Sequence, residues 1–424
     1  MGKINAAVEE RANESSSSTI DLGTAENWLM RAELMQISKT AIRGKLAAKD
    51  LSYQDGFAGH SALLTALAAM FNQYFFPVIP VTPSHLAIAP GGAASLDALL
   101  YNICEHGDGV LVPGPFWNGF DWLLSVRSGV VPVLVNVENL KDTFTTALIP
   151  RLAQALKESS RPIKALLLTN PHNPFGQCYP RAVIEKCIQF CQQHNIHYIS
   201  DEVYGLSGFP SPTVKDPVPF TSALAVDIAG LGCDPWRVHV VWSMSKDFGS
   251  SGFRMVSSLT AICATALLTS PSLSSLLQRN ASRLAEAYGK LVDFFMLHDI
   301  EYLPVSHGPF VFARIAGRHL TSWDEETEAI QCFKDAGVVL SPGKAYHMNE
   351  HEKGWSRITF AVVPQQLDAA LSRLETGLER WSLIVSNKAK QQENGKSGHK
   401  RRRSVRTQIG AKRAHIAAHE TATA

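Results

Sequence analysis

The stretch SMSKDFGSSGFR, residues 243–254, determines how the rest of the chain is interpreted. It directly follows RVHVVW (237–242), an apolar and β-branched run that predicts a buried strand. A lysine at the end of a buried strand does not lie on an ordinary solvated face. Lys246 therefore either pairs with a carboxylate or takes part in chemistry.

The composition of the chain bounds its class. Its 424 residues allow two domains, and 45% hydrophobic with 18% charged residues is typical of a globular protein. Seven cysteines without regular spacing argue against a disulfide framework and predict a reducing, cytoplasmic location. No apolar run reaches the roughly 20 residues of a membrane span, and the N-terminus lacks the apolar core of a signal peptide.

Charge is distributed unevenly. Residues 386–424 hold ten Lys or Arg and two Glu, so this tail is strongly basic while the remaining body is mildly acidic. The run HKRRRSVR (399–406) could form a nucleic-acid patch, but we expect a solvated, disordered tail instead. We therefore expect neither a nucleic-acid nor a membrane partner.

Strand and helix patterns alternate along most of the chain. The strand patterns are at 85–92, 109–115, 130–137, 163–170, 196–204 and 237–246, and the clearest helix patterns are at 60–75, 95–108 and 180–195. Such alternation predicts an α/β fold with a mostly parallel central sheet flanked by helices, and ligands bind beyond the carboxyl ends of its strands. After about residue 300, short strands and a helix at 364–385 predict a smaller α+β domain.

Polar residues concentrate at these strand ends. HLAIAPGGAAS (85–95) is either an anion-binding turn at a helix N-terminus or a plain turn. Asn170 and Asn173 each precede a proline, which indicates turn chemistry or an amide held toward a ligand. Asp201 and Glu202 follow an apolar run, so one should point inward and need a cationic partner, either a distant side chain or a protonated ligand nitrogen.

Together these segments resemble the fold-type I pyridoxal 5'-phosphate (PLP) enzymes of the class I/II aminotransferase family. Residues 243–254 are similar to the lysine segment of the subgroup that contains 1-aminocyclopropane-1-carboxylate (ACC) synthases and ACC-synthase-like aminotransferases. YQDGFAG (53–59) and FTSALAVD (220–227) resemble its fungal members, and the resemblance extends from LGTAENWL (22–29) to GWSRITFA (354–361). It implies the PLP-dependent transferase fold type I, PLP as cofactor and a homodimer.

The resemblance also implies roles for single residues. Lys246 would form the internal aldimine with PLP, and Asp201 would pair with the protonated pyridine nitrogen. Tyr204 and Asn173 would hydrogen-bond the ring hydroxyl. The phosphate would be held by Ser243, Arg254 and the backbone amides of Ala93 and Ala94.

Further roles concern the ring face and the substrate. Trp117 would stack on the pyridine ring, with Phe116 as the alternative if the alignment shifts by one residue. Arg357 would bind the substrate α-carboxylate. Glu26, within the segment 22–29, would be a polar contact in the substrate site. No metal is predicted.

The implied organisation has five parts. They are a disordered N-terminal arm (1–18), an N-terminal segment of the small domain and substrate site (19–50), a large PLP-binding domain (51–299), a small C-terminal domain (300–385) and a basic disordered tail (386–424). Three positions differ from ACC synthases: Phe57 stands where plant enzymes have a tyrosine that reaches the partner's cofactor, Ala94 replaces a threonine, and Trp117-Asn118 replaces Tyr-Pro.

We expect a PLP-dependent aminotransferase whose small-molecule substrate is an α-amino acid, in amino-acid metabolism or specialised biosynthesis. The alternative is a PLP-dependent lyase that catalyses β- or γ-elimination, C–S bond cleavage or ACC synthesis. A third reading is a non-catalytic binding or regulatory protein with the PLP fold. The joint presence of the residues matching the cofactor and substrate sites argues against that third reading.

Overall fold

The structure is a computed structural model and describes residues 19–53, 56 and 58–390. Its strands are β1 (Ile20–Asp21), β2 (Gly109–Pro113), β3 (Val131–Val135), β4 (Ile163–Thr169), β5 (His197–Asp201), β6 (Val238–Val241), β7 (Tyr302–Leu303), β8 (Phe310–Ala313), β9 (Val338–Val339), β10 (Ser341–Pro342) and β11 (Ser356–Thr359). Five of them form a parallel sheet in the order β3-β2-β4-β5-β6. This confirms the predicted parallel central sheet.

Helices separate most of the sheet strands in sequence. They are α1 (Arg31–Lys45), α2 (Ser61–Tyr74), α3 (Gly92–Ile103), α4 (Gly119–Ser125), α5 (Leu148–Glu158), α6 (Arg181–Gln193), α7 (Met244–Asp247), α8 (Ser258–Leu268), α9 (Leu273–Leu297), α10 (Trp323–Asp335) and α11 (364–390). Successive strand residues point to opposite faces of a sheet. Leu166 and Leu168 of β4 pack with α5 and α6, whereas Ala165 and Leu167 pack with α3 and α4. Both faces of the sheet are therefore covered by helices.

A second, smaller unit is antiparallel. Its sheet has the order β10-β11-β8-β7, and β1 pairs with β9 in a separate parallel ladder. The core beneath it includes Leu291 of α9, Phe333 of α10 and Leu374 of α11. Helix α9 begins in a different core, where Leu273 packs with residues of α2 and α8. This long helix thus joins the two units, and the predicted domain boundary at 299/300 lies just after its end.

One predicted strand does not form. Residues 86–91 join no strand: His85 ends the short helical turn Pro83–His85, Gly92 begins α3, and between them Ile88 N donates to Ala58 O at 2.8 Å. Pro83, before the segment, and Pro90, within it, have no N–H to offer a ladder. The helix after it begins at Gly92, earlier than the predicted 95.

The ends of the chain meet the predictions only in part. Helix α11 continues to residue 390, so 386–390 extend a helix that the sequence pattern ended at 385. The predicted arm 1–18, Phe57 and the remainder of the tail, 391–424, lie outside the described residues.

The membrane question concerns the described helices. None of them alone is long and apolar enough to cross a membrane. Helices α8 and α9 meet that criterion only as a pair, bent by 86°. Leu267 of α8 and Leu291 of α9 are buried in the protein's cores, which accounts for their apolar composition.

Candidate active site

A cavity of about 540 Å³ lies beyond the carboxyl ends of β5 and β6. The N-terminal segment around residues 21–25, the start of α3 and residues 339–346 of the smaller unit also line it. The cavity brings together these residues predicted from the sequence: Ala93, Trp117, Asn173, Asp201, Tyr204, Ser243, Lys246, Arg254 and Arg357. Ala94 and Glu26 are not among its lining residues.

Lys246 lies on α7, a four-residue helix that directly follows β6. Ser243 caps this helix, because its Oγ accepts the N–H of Ser245 at 3.2 Å. The Nζ of Lys246 donates to the carbonyl oxygen of Ala25 at 2.7 Å. The amine therefore lies inside the cavity, against the N-terminal segment that covers it.

Of the adjacent carboxyl groups of Asp201 and Glu202, only that of Asp201 lines the cavity. Burial raises its pKa to about 7, against hydrogen bonds from Val203 N–H and Thr169 and the charge of Lys246. Glu202 is turned away, and its carboxylate accepts Ser222 Oγ at 2.6 Å and Ala223 N at 2.8 Å. Asp201 is thus the group placed to pair with a protonated ligand nitrogen.

An anion cradle lies where α3 begins. Gly91 caps the helix with φ +92°, and a Cβ at this position would lie 2.7 Å from Nη1 of Arg254. Arg254 donates from Nη1 to Pro90 O at 2.9 Å and from Nη2 to Ser245 Oγ at 3.2 Å. The first N–H groups of a helix have no intrahelical acceptor, so Arg254 and the start of α3 are suited to bind a phosphate.

Ser245 is a cavity residue that the sequence reasoning did not assign. Its Oγ accepts hydrogen bonds from Ser243 Oγ at 2.9 Å and from Arg254. The available signal was its place in the motif Ser-x-Ser-Lys, where Ser243 alone was chosen.

Of the two candidate stacking residues, Trp117 and not Phe116 lines the cavity. Trp117 lines the cavity, and its ring packs edge-on against Phe120 at 5.3 Å between centroids. Phe116 is buried in the core and lies 4.3 Å from the ring of His347. The geometry therefore favours the first of the two alignments.

Arg357 on β11 enters the cavity from the smaller unit. It donates from Nη1 to Asn173 Oδ1 at 3.0 Å and from Nη2 to Gly23 O at 2.5 Å. The rings of Phe310 and Tyr346 lie 5.0 and 5.4 Å from its guanidinium carbon. Among the described residues its buried Nε has no hydrogen-bond acceptor. A buried N–H of this kind suits a ligand carboxylate.

Tyr204 is buried in the wall of the cavity, whereas Glu26 lies outside the cavity lining. Tyr204 is 2% exposed and lines the cavity, and burial raises the pKa of its hydroxyl. Glu26 accepts hydrogen bonds from Ser251 Oγ at 2.8 Å and Trp28 Nε1 at 2.9 Å. Burial opposes ionisation of Glu26, but these bonds and the charge of Arg31 lower its pKa overall. The carboxylate sits behind Ser251, which itself lines the cavity.

The donor set fits PLP. An amine, a buried carboxyl, an anion cradle and an aromatic ring line one cavity, as the cofactor's aldehyde, pyridine nitrogen, phosphate and ring face require. A Cβ at Gly91 would close the space beside Arg254, so the sequence keeps that end of the cavity open.

Comparisons with known proteins show the family of the chain. The family model for aminotransferases of class I and II matches residues 18–257 and 255–374. A protein of Aspergillus oryzae described as probable aminotransferase aclI is 52% identical over 89% of this chain and 95% of its own. Probable aminotransferase gliI of Aspergillus fumigatus is 38% identical, over 86% of this chain and 91% of its own. Rice 1-aminocyclopropane-1-carboxylate synthase 1 is 31% identical, over 85% and 81%.

Solved structures share the fold at low identity. An aromatic aminotransferase from Pyrococcus horikoshii superposes with a TM-score of 0.71 at 20% identity, covering 88% of this chain and 99% of its own. Aspartate aminotransferase from Thermus thermophilus with maleate gives 0.69 at 21%, covering 88% and 95%.

Proposed function

The chain belongs to the class I and II aminotransferase family and is a PLP-dependent enzyme of aminotransferase type, and from this premise we propose that it transaminates an α-amino acid. PLP, when bound, draws electrons from the α-carbon of an amino acid and so weakens its bonds. The protein's part is to hold the cofactor, orient the substrate and move a proton.

The residues assigned from the sequence, with Ser245, have the following parts in this proposal. Lys246 would bond the cofactor and carry the α-proton at Nζ, and Asp201 would keep the pyridine nitrogen protonated. Tyr204 would bond the ring hydroxyl, together with the amide nitrogen of Asn173, because its Oδ1 already accepts from Arg357. The phosphate would be held by Ser243, Ser245, Arg254 and the N–H groups of Ala93 and Ala94, with Trp117 against the ring.

The observation that carries the proposal is that Lys246 and Arg357 line one cavity. The buried Nε of Arg357 lacks an acceptor among the described residues. A substrate carboxylate there would complete its hydrogen bonds and direct the α-carbon toward the amine of Lys246. This arrangement would fix the orientation of the amino acid in the cavity.

A lyase is the second candidate, favoured by the 31% identity to the rice protein named as an ACC synthase. Removal of the α-proton at Lys246 is common to both reactions. They differ in whether the cofactor carbon is then reprotonated or a side-chain substituent is lost.

The test is a screen of the proteinogenic amino acids with the yellow holoenzyme. Transamination predicts a 2-oxo acid that forms only when an amino acceptor such as 2-oxoglutarate is present. Release of ammonia or a thiol without an acceptor would overturn transamination in favour of elimination. Lys246→Ala should abolish the colour and turnover, whereas Lys290→Ala, at a surface ion pair with Asp368, should not.

We also propose a homodimer and a cytoplasmic location. Large apolar side chains are exposed on α1, on α8 and near the ends of α2, which supports a partner subunit that covers these three helices. All seven cysteines are free, which suits a reducing compartment.

A further inference from the structure

A buried glutamate outside the cavity joins two segments that lead into it. Glu326 lies in the first turn of α10 and is 1% exposed. Its Oε1 accepts the N–H of Lys344 at 2.9 Å, and its Oε2 accepts the N–H of Gly354 at 2.8 Å. Each carboxylate oxygen is therefore engaged by the backbone of a different segment.

Both segments carry residues of the cavity. Lys344 belongs to the short helical turn Gly343–Tyr346, and Tyr346 lines the cavity. Gly354 lies just before β11, which carries Arg357. The spacing between these two backbone groups thus helps to set the spacing between Tyr346 and Arg357.

Glu326 acts where the strand pairing stops. Ser341 of β10 pairs with Arg357 of β11, and the contact continues to a bond from Gly343 N to Trp355 O at 2.7 Å. Beyond this bond, the N–H groups of Lys344 and Gly354 donate to Glu326 instead of to the opposite strand. The carboxylate therefore clamps the two segments as they diverge.

This position requires a carboxylate. Burial raises the pKa of Glu326, while the two backbone N–H groups and the charges of Lys344 and Lys353 oppose that effect. A glutamine has one acceptor oxygen, so its amide nitrogen would face one of the two N–H donors. A buried donor facing a donor costs free energy and pushes one segment away.

We propose that Glu326 is a positioning residue for Arg357 and Tyr346. It holds these two residues at the distance that binding of the substrate α-carboxylate requires. The inference rests on the proposed function, because it assigns Arg357 to the substrate. Glu326 does not line the cavity, so it acts through these two residues and leaves the cofactor site untouched.

The experiment uses the holoenzyme and two probes. They are the amino acid with the highest turnover in the screen and acetate, a carboxylate that cannot react. Glu326→Gln should raise KM for the amino acid, and Kd for acetate measured from the cofactor absorbance, by about tenfold. kcat and the cofactor spectrum should not change. Glu328→Gln is the matched control, because Glu328 lies on the same helix as Glu326 and its substitution removes only an exposed ion pair with Lys388 of α11.

The outcomes separate this inference from the proposed function. Unchanged KM and Kd in Glu326→Gln, or a loss confined to kcat, would overturn it. If that variant does not fold, Glu326→Asp, which is too short to reach both N–H groups, must give the same pattern. Arg357→Ala is measured in parallel. Acetate binding that survives Arg357→Ala would refute the assignment of Arg357 to the substrate carboxylate. Loss of acetate binding in Arg357→Ala but not in Glu326→Gln would refute only the positioning role of Glu326.

Discussion

At the scale of single residues, Asp201 and Glu202 are adjacent, yet they serve different surroundings. Successive side chains along a strand point to opposite faces. Asp201 at the end of β5 lines the cavity, and the next residue is held by Ser222 and Ala223. The residue pattern alone indicated that one carboxyl points inward, because both follow the same apolar run, and the family resemblance singled out Asp201.

Replacing Asp201 by asparagine tests its part in catalysis. A neutral amide cannot keep the pyridine nitrogen protonated, so turnover should fall by about 100-fold or more while the fold is retained. Steady-state kinetics and circular dichroism measure the two effects. Near-normal turnover would mean that Glu202, or no carboxylate at all, keeps the pyridine nitrogen protonated.

The same carboxyl should make the stability of the apoprotein depend on pH. Burial raises the pKa of Asp201 from 3.8 to about 7. Between these values the unfolded chain has lost this proton and the folded chain has kept it, so rising pH favours unfolding. Relative to Asp201→Asn, the wild-type apoprotein should lose stability from about pH 4 to about pH 7 in urea titrations. Parallel profiles of the two proteins would contradict the raised pKa.

At the scale of elements, the short helix α7 is fixed by the residue after the lysine. Asp247 is 1% exposed, and its Oδ2 accepts Trp242 Nε1 at 2.7 Å and Leu206 N at 3.1 Å. These bonds tie Lys246 to the end of β6 and to the turn that follows Tyr204. Burial raises the pKa of Asp247 to about 8, which favours the neutral form of its carboxyl group.

An isosteric change should therefore be tolerated here. Asp247→Asn keeps an acceptor oxygen for both donors and should retain the colour and most of the turnover. Asp247→Ala leaves two buried N–H donors without an acceptor, which costs roughly 1–3 kcal/mol each. We expect lower melting temperature, weaker PLP binding and slower turnover in that variant. Equal losses in both variants would show that the charge of Asp247 matters instead.

The sequence predicted the sheet strands well because their apolar runs are buried on both faces. It failed at 85–92, where the apolar run pairs with no strand and, among the described residues, its backbone bond to a distant segment runs from Ile88 N to Ala58 O. The lysine motif located the cofactor end of the cavity. Pairings between distant segments, such as Arg357 with Asn173 and Glu326 with Gly354, depend on the packing of the smaller unit, and no local pattern encodes them.

At the scale of the whole molecule, large apolar side chains are exposed beside the anion cradle formed by Arg254 and the start of α3. Arg254 is exposed, and Val256 and Leu259, which follow it at the start of α8, are 43% and 44% exposed. Helix α8 packs against α1, α2 and the turn that ends at Leu51, where that leucine is 86% exposed. The proposed homodimer would place its second copy over these exposed apolar side chains and over Arg254.

Breaking this interface should weaken the hold on the cofactor. In Leu51→Glu/Leu259→Glu, burying the four introduced carboxylates, two from each subunit, in the proposed two-fold contact would be unfavourable, and sedimentation should show a monomer. Because the partner would no longer cover Arg254, Kd for PLP should rise and turnover should fall together. Trp236→Glu is the control, since that residue is 87% exposed but lies before β6, at the end of the sheet remote from the cavity. A monomeric double variant that binds PLP as tightly as the wild type would show that each subunit holds its cofactor unaided.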